Sequence, residues 1–275
     1  MTKLAEYRGT FELTVNLVLR ELRSRYKRSV LGWGWSLINP LATVLIYWIV
    51  FSQFLKVQPP VGDPSGLKSF VFFLLCGLLP YKFLSDSMLQ TTESLISNGN
   101  LIKKVYFPRQ LLVVAGVGSL LVTLLIELGV LCALLLIVGG NMVLPWIPML
   151  LLIVVLETAM VLGIGFVVGP LNVYLRDVKH FVFIAVQMLF YSAPIVYPIR
   201  LVPVHAHVLG LALPLRDIYK LNPLVTMITC YRSVLYDLAW PSLKDLAYLG
   251  LWAVALVVIG HWIFGRLDRR LAEEV

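Results

Sequence analysis

Six apolar segments, each long enough to cross a bilayer, constrain this chain more than any other feature. They run over 37–57, 69–89, 110–138, 146–171, 180–198 and 245–264. A hydrocarbon core about 30 Å thick is crossed by a helix of about 20 apolar residues. Hydrophobic residues make up 59% and charged residues 14% of the 275 positions, an excess that a soluble core of ordinary composition does not absorb. The expectation is an all-α integral membrane protein of six transmembrane helices. Residues 1–36 form a cytoplasmic interface and gate segment, and 37–275 form a single six-span domain.

Charge gives the orientation. A net charge of +8 would point to nucleic acid only if the basic residues formed a patch on a soluble domain. Here they fall in short clusters between apolar runs. With the N-terminus inside, segments 1–36, 90–109, 172–179 and 265–275 hold seven, three, two and three Lys or Arg, fifteen in all. Segments 58–68, 139–145 and 199–244 hold six. That bias places both termini in the cytoplasm. The first 35 residues lack a cleavable apolar core, so no signal peptide is expected. Cys76, Cys132 and Cys230 are odd in number and lie within or beside apolar stretches, which argues against a disulfide framework or a metal site. His205 and His207 alone do not make a zinc site either.

Between spans two and three the chain changes character. Burying Lys103, Lys104 and Arg109 at mid-membrane would cost about 2.5–3.5 kcal/mol each, so this loop is wet or covered by protein. Residues 91–96 can form a short helix, ended at Asn98-Gly99, where the left-handed conformation is tolerated. Pro108 suits the first turn of span three. The plainer reading is an ordinary positive-inside loop. Upstream, Phe11, Val15, Val18, Leu22 and Tyr26 recur at helical spacing, with Glu12, Asn16, Arg20, Arg23 and Lys27 on a neighbouring face. This is an arginine-rich amphipathic helix suited to the headgroup layer, and its plainer role is to set topology alone. It leads into Gly32, Trp33, Gly34 and Trp35, where glycines permit a sharp turn between interfacial tryptophans.

Six fragments then occur in order: "RYKRSVLGWGWSLINPL" (25–41), "GLLPYKF" (77–83), "SLISNGNLIKKVYFPR" (94–109), "YLRDVKH" (174–180), "SAPIVYP" (192–198) and "LNPL" (221–224). Together they resemble the permease subunit of type-2 ABC exporters that move lipid-linked polysaccharides such as O-antigen, capsule and teichoic acid. The resemblance covers nearly the whole chain; the family usually has Trp where Tyr81 stands, at an interfacial position. It implies a bacterial inner-membrane exporter of two permease copies and two ATP-binding cassette subunits, with lipid-linked polysaccharide as substrate and no nucleic acid partner. Membrane lipids are the remaining partners. It also implies that the short helix between spans two and three docks on the ATPase. No G-x-x-x-x-G-K-[ST] occurs in the chain, so no cofactor is expected here, and ATP and magnesium belong to the partner subunit. The docking candidates are Glu93, Ser97, Asn98, Lys103 and Lys104, with Arg23 and Arg28 beside them. Arg176 and Asp177 are expected to cap or pair locally.

The segment 199–244 is broken by Pro203, Pro214, Pro223 and Pro241. Either 201–213 or 222–236 can form a half-helix, which lipid tolerates only if it packs on protein or lines a cavity. The resemblance implies a pair of re-entrant gating helices here, and a loose amphipathic cap is the plainer alternative; the gate candidates are Gly32, Trp33, Gly34 and Trp35 with Pro203, Pro214 and Pro223. In span one, Tyr47, Phe51 and Phe54 share a helical face. In span five, Phe183, Gln187, Phe190, Pro194 and Tyr197 form another. Such aromatic stripes suit a sliding sugar polymer or, more plainly, helix packing. Glu127 and Glu157 are the carboxylates deep inside spans. Counted at 1.5 Å per residue, Glu127 lies about 25 Å from the inner start of span three and Glu157 about 16 Å from the outer start of span four. A structural hydrogen bond is favoured for Glu157 over proton coupling. Gly165-x-x-x-Gly169, after Gly163, marks close helix packing.

Two other functions share parts of this pattern. A small-molecule type-2 exporter has the same architecture, and gene neighbourhood separates the two. A membrane-embedded glycosyltransferase would place paired carboxylates in wet loops, and no Asp-x-Asp occurs here. A scaffold without transport is disfavoured by the half-helix pattern.

Overall fold

Backbone in lipid must bond to itself, and these apolar runs do so as helices. The computed structural model describes residues 2–25, 34–58, 60–137, 143–204, 206–208 and 211–274. Helix α1 (Thr2–Arg25) is followed by α2 (Trp35–Tyr47), which continues as a π-helix over Trp48–Phe54. Then come α3 (Phe70–Ser97), α4 (Gly99–Lys104), α5 (Gln110–Ile137), α6 (Ile147–Tyr174) and α7 (Val178–Tyr191). After a hairpin of β1 (Ala206–Val208) and β2 (Leu211–Leu213), the chain forms α8 (Leu215–Lys220) and α9 (Pro223–Arg232), extended by a π-turn over Ser233–Asp237. Helices α10 (Leu243–Leu267) and α11 (Leu271–Glu274) finish it. Arg28, Gly32, Trp33 and His205 lie outside the described residues.

Phe70–Ser97, Gln110–Ile137, Leu144–Tyr174 and Leu243–Leu267 are long and apolar enough to cross a membrane. They correspond to spans two, three, four and six. Ile38–Phe54 and Val178–Tyr191 are apolar but shorter. The fifth helix therefore stops at Tyr191, not at 198. Pro194 has no N–H to continue the ladder and disfavours the helical conformation at Ala193. Half-helix formation over 201–213 also fails: Ala206 pairs with Leu213 in the antiparallel hairpin. Pro203 precedes that hairpin, and the Arg216 guanidinium closes its base by donating to the Val202 and Arg200 carbonyls.

α3 is buried along most of its length and forms the centre, packed by α5, α6, α7 and α9. α6 and α10 make the most intimate pair, with Gly163 and Gly260 in backbone contact. The second glycine site expected from the sequence packs elsewhere: Gly165 and Gly169 face Thr91 and Val113. A smaller cluster gathers Leu17, Leu95, Ile102, Val113, Phe166 and Phe264 at the end of the bundle that carries residues 98–109, here called the base. α1 belongs to that cluster, and its inner face keeps Val18 and Leu22 of the expected stripe but replaces Phe11 and Val15 by Leu13 and Leu17. Leu13, Leu17, Val18 and Leu22 pack inward, while Phe11 and Val15 point out. The tertiary contact with α5 selects a face rotated from the one that apolar spacing alone marks. At the opposite end, the top, loop 58–68 is strapped over α9: the Tyr236 hydroxyl donates to the Pro60 carbonyl at 2.6 Å and the Ser65 hydroxyl to the Tyr236 carbonyl at 2.5 Å.

Candidate functional site

The polar base loop is made from the ends of two helices. α3 continues to Ser97, so 91–96 is its final stretch and not a separate short helix. Its 28 residues extend about 42 Å, beyond a hydrocarbon core of about 30 Å, and carry Glu93 and Ser97 out of it. Asn98 turns the chain at φ −104° and ψ 19°, without the left-handed conformation expected of Asn98-Gly99. Its Nδ2 donates to the Ser94 carbonyl at 2.8 Å. Its own carbonyl accepts from the Leu101 and Ile102 N–H groups at 2.9 and 3.1 Å, which starts α4. The short helix is thus Gly99–Lys104, with Lys103 and Lys104 exposed in its last turn.

Side-chain hydrogen bonds hold this loop. Arg20 on α1 donates to Asn98 Oδ1 at 2.7 Å, and Gln90 on α3 donates to Glu21 Oε1 at 3.0 Å. Buried Asn172 on α6 donates to the Thr92 carbonyl at 2.9 Å and accepts from the Lys179 N–H at 3.1 Å. Arg109 donates to Asp268 Oδ1 at 3.0 Å, seating the C-terminal segment. Glu93 and Lys179 form an exposed ion pair at 4.0 Å. Among the docking candidates Glu93, Ser97, Lys103, Lys104 and Arg23 are exposed and Asn98 is half-buried. The side-chain cap expected of Asp177 is absent: its carbonyl instead accepts from the His180 and Phe181 N–H groups. Arg176 lines a cavity of about 230 Å³ with Glu93, Ser97 and Lys179.

The aromatic stripes are rearranged. Tyr47 and Phe51 share a face with ring centroids 5.8 Å apart, but that face packs on α3, with Phe51 4.8 Å from Phe70. Phe54 leaves the stripe and is exposed. From Trp48 the helix bonds i to i+5, so a three-residue step no longer returns to the same face. On α7, Phe183 and Gln187 are exposed while Val182 and Val186 are buried. The Tyr81 hydroxyl donates to the Val186 carbonyl, and its ring meets Phe190 edge-on at 5.3 Å. Tyr81 is therefore a buried contact between α3 and α7. Tyr197 lies beyond the helix end. It donates to the Tyr191 carbonyl at 3.0 Å and meets the Tyr219 hydroxyl at 2.8 Å, so 183–197 is not one helical face. Of the gate candidates, Gly34 caps α2 and Trp35 is exposed at its first turn. Pro214 caps α8, Pro223 opens α9, and Pro203 is exposed before the hairpin.

Helix α9 carries the least anticipated chemistry. Asn222 caps it by accepting from the Leu224 N–H at 3.0 Å, and the Asn222 amide also donates to the Ser192 carbonyl at 3.2 Å. Two adjacent residues then grip different walls. The Tyr231 hydroxyl donates to Glu157 Oε2 on α6 at 2.5 Å. Arg232, only 7% exposed, donates from Nη1 to the Pro194 carbonyl at 2.5 Å and from Nη2 to the Ile195 carbonyl at 2.6 Å. Its Nε donates to the Phe73 carbonyl at 3.3 Å, and its guanidinium lies 3.6 Å from the Phe73 ring centre. Carbonyls freed where α7 breaks are thus satisfied by α9. Glu127 pairs with Lys82 at 2.6 Å, so both deep carboxylates have partners, and Glu157 has the hydrogen bond expected of it. By loop counting alone Arg232 is one of the outer-loop cations of 199–244. Its position inside the apolar stretch 222–236 was the available signal.

Comparison with known proteins adds the remaining observation. The ABC-2 type transporter family model matches residues 12–236. An O-antigen export system permease protein RfbA of Klebsiella pneumoniae is 29% identical over 265 residues, covering 96% of this chain and 95% of that protein. A protein of the same name from Myxococcus xanthus is 28% identical over 277 residues, covering 99% and 98%.

Proposed function

The chain belongs to the ABC-2 type transporter family, and from that premise we propose that it is the permease subunit of an ATP-driven exporter of lipid-linked polysaccharide. The observation that carries this reading is near-full-length similarity to proteins named O-antigen export system permeases. In this reading the chain crosses the inner membrane six times, using the four long helices, α2 with its π extension, and α7 with the segment that follows it. Both termini and the base face the cytoplasm. Two copies assemble with two ATP-binding cassette subunits, which bind ATP and magnesium. α8 and α9 re-enter from the outer side as a gate.

The geometry of the base supports the division of labour. Lys103 and Lys104 end a short helix whose N-cap, Asn98, is held by Arg20 of α1 and by the Ser94 carbonyl of α3. A push on α4 therefore passes into the bundle through short hydrogen bonds and not through a slack linker. Exposed Phe183 and Gln187 on α7 face the translocation path.

Lys103→Glu combined with Lys104→Glu tests the docking surface in the complete transporter, reconstituted with a lipid-linked oligosaccharide. Both side chains are exposed, so the permease should fold and purify normally, while stimulated ATPase rate and glycan export fall at least about tenfold, the effect of a reversed charge pair at an interface. Unchanged ATPase stimulation and export would overturn the docking assignment. Absence of glycan export by the unaltered complex, alongside efflux of small amphiphiles, would overturn the substrate.

A further inference from the structure

At the top of the bundle a cavity of about 470 Å³ opens between Ile199, the end of α8, the first turns of α9 and the start of α10. Its wall presents Lys220, Lys244, Thr226, Thr229, Tyr248 and Asp245. Neither lysine has an ion-pair partner among the described residues. Two lysines thus line one space that holds a single carboxylate, and an anion within reach of both offsets the excess positive charge. Asp245 is the acid in the wall, and it stands in the first turn of α10, where the helix N-terminus already favours a negative charge.

Two further kinds of donor lie in or beside the same space. Thr226 is 7% exposed, and its hydroxyl has no hydrogen-bond partner among the described residues. At the α10 N-terminus, Ser242 accepts from the Asp245 and Leu246 N–H groups. The two N–H groups before them have no intrahelical partner. Lysines with a hydroxyl and a helix N-terminus make a site for a tetrahedral phosphate.

What surrounds the cavity decides the source of that phosphate. Trp240, four residues before Lys244, is exposed and meets Trp146 edge-on at 5.2 Å, and Tyr248 in the cavity wall meets Trp252 at 6.4 Å. Paired aromatic residues of this kind mark headgroup depth in a bilayer. Along α10, spacing of three and four residues leads from Lys244 through Tyr248 to Leu251, Val254, Val258 and Trp262, and those last four are exposed apolar side chains. A stripe running down from a cationic pocket fits an acyl chain below its headgroup.

We propose that this cavity binds the phosphate of an anionic lipid headgroup, with Lys220 and Lys244 as charge partners and Thr226 as hydrogen-bond donor. The site is separate from the base loop and does not depend on the export reading. A free phosphate would share the polar contacts but gain nothing from the apolar stripe.

Native mass spectrometry of the full chain tests this, with the protein released from micelles containing phosphatidylglycerol or phosphatidylcholine and challenged with excess inorganic phosphate. One phosphatidylglycerol per chain should be retained in preference to phosphatidylcholine and resist the challenge. Lys220→Gln with Lys244→Gln should weaken that retention about tenfold or more, and Thr226→Val should weaken it less. Lys56→Gln with Lys68→Gln, two exposed top-end lysines outside the cavity, should retain the lipid. Equal losses in both double variants, or no loss in the first, would overturn the site. Displacement by inorganic phosphate with no preference between the lipids would overturn the lipid assignment in favour of a free phosphate.

Discussion

Arg232 closes a break that apolar side chains cannot. Pro194 ends α7 and leaves carbonyls facing the protein interior, where an unsatisfied polar group is costly. The fork of a guanidinium reaches Pro194 and Ile195 together, at 2.5 and 2.6 Å, while its plane covers Phe73. Arg232→Ala should lower stability by about 3 kcal/mol or more, as loss of buried charge-assisted bonds does. A thermal unfolding midpoint in detergent measures it. Arg232→Lys should recover less than half of the loss, because one ammonium cannot reproduce two parallel bonds and the stacking. Full recovery by lysine would mean that charge alone matters there. Tyr231 acts beside it in a different way, giving Glu157 one neutral donor while Glu157 Oε1 stays without a partner among the described residues.

Pairs of elements obey closer tolerances than single helices. α6 and α10 touch through backbone, and a Cβ on Gly163 would stand 2.6 Å from the Leu256 carbonyl oxygen and 2.7 Å from its Cβ. Gly163→Val should therefore force the helices apart, with an overpacking cost of about 1–3 kcal/mol or more and a drop in folded yield by size-exclusion chromatography. Gly250 on the same helix α10 has nothing within 4 Å of such a Cβ. Gly250→Ala should be neutral or stabilising by up to about 1 kcal/mol from helix propensity. A GxxxG-type pattern was legible in the sequence, but it marks Gly165 and Gly169 against α3 and α5. The tightest approach belongs to Gly163 and Gly260, which no short motif connects. Helix α1 makes a similar point, since Val18 sits close over Gly118 of α5, where an added Cβ would stand 3.0 Å from it.

Across the whole molecule, the two aromatic stripes that look equivalent in sequence have different surroundings. Phe51 leads into a chain of rings through Phe70 and Phe73 to Tyr236, whereas Phe183 and Gln187 face outward. Tyr47→Ala with Phe51→Ala should cost stability, about 2–4 kcal/mol by the measure of large-to-small changes in packed sites. Phe183→Ala with Gln187→Ala should leave the unfolding midpoint unchanged and reduce glycan export per assembled complex. Normal export in the second variant would place the translocation path elsewhere.

The order of the apolar helical segments, the polar base loop between the second and third of them, and the family pattern are legible in the residues alone. Lipid makes each of those a local matter, because a backbone without water must satisfy itself within the segment. Tertiary structure decided where α7 stops, which face α1 buries, that 206–213 pairs as a hairpin, and that α9 is pinned through Tyr231 and Arg232. Those outcomes depend on partners far away in the chain: Arg232 reaches Pro194 across 38 residues and Phe73 across 159, and Tyr231 reaches Glu157 across 74. Local spacing shows that a residue is polar or aromatic. Only the packed bundle supplies the carbonyl, carboxyl or ring that it meets.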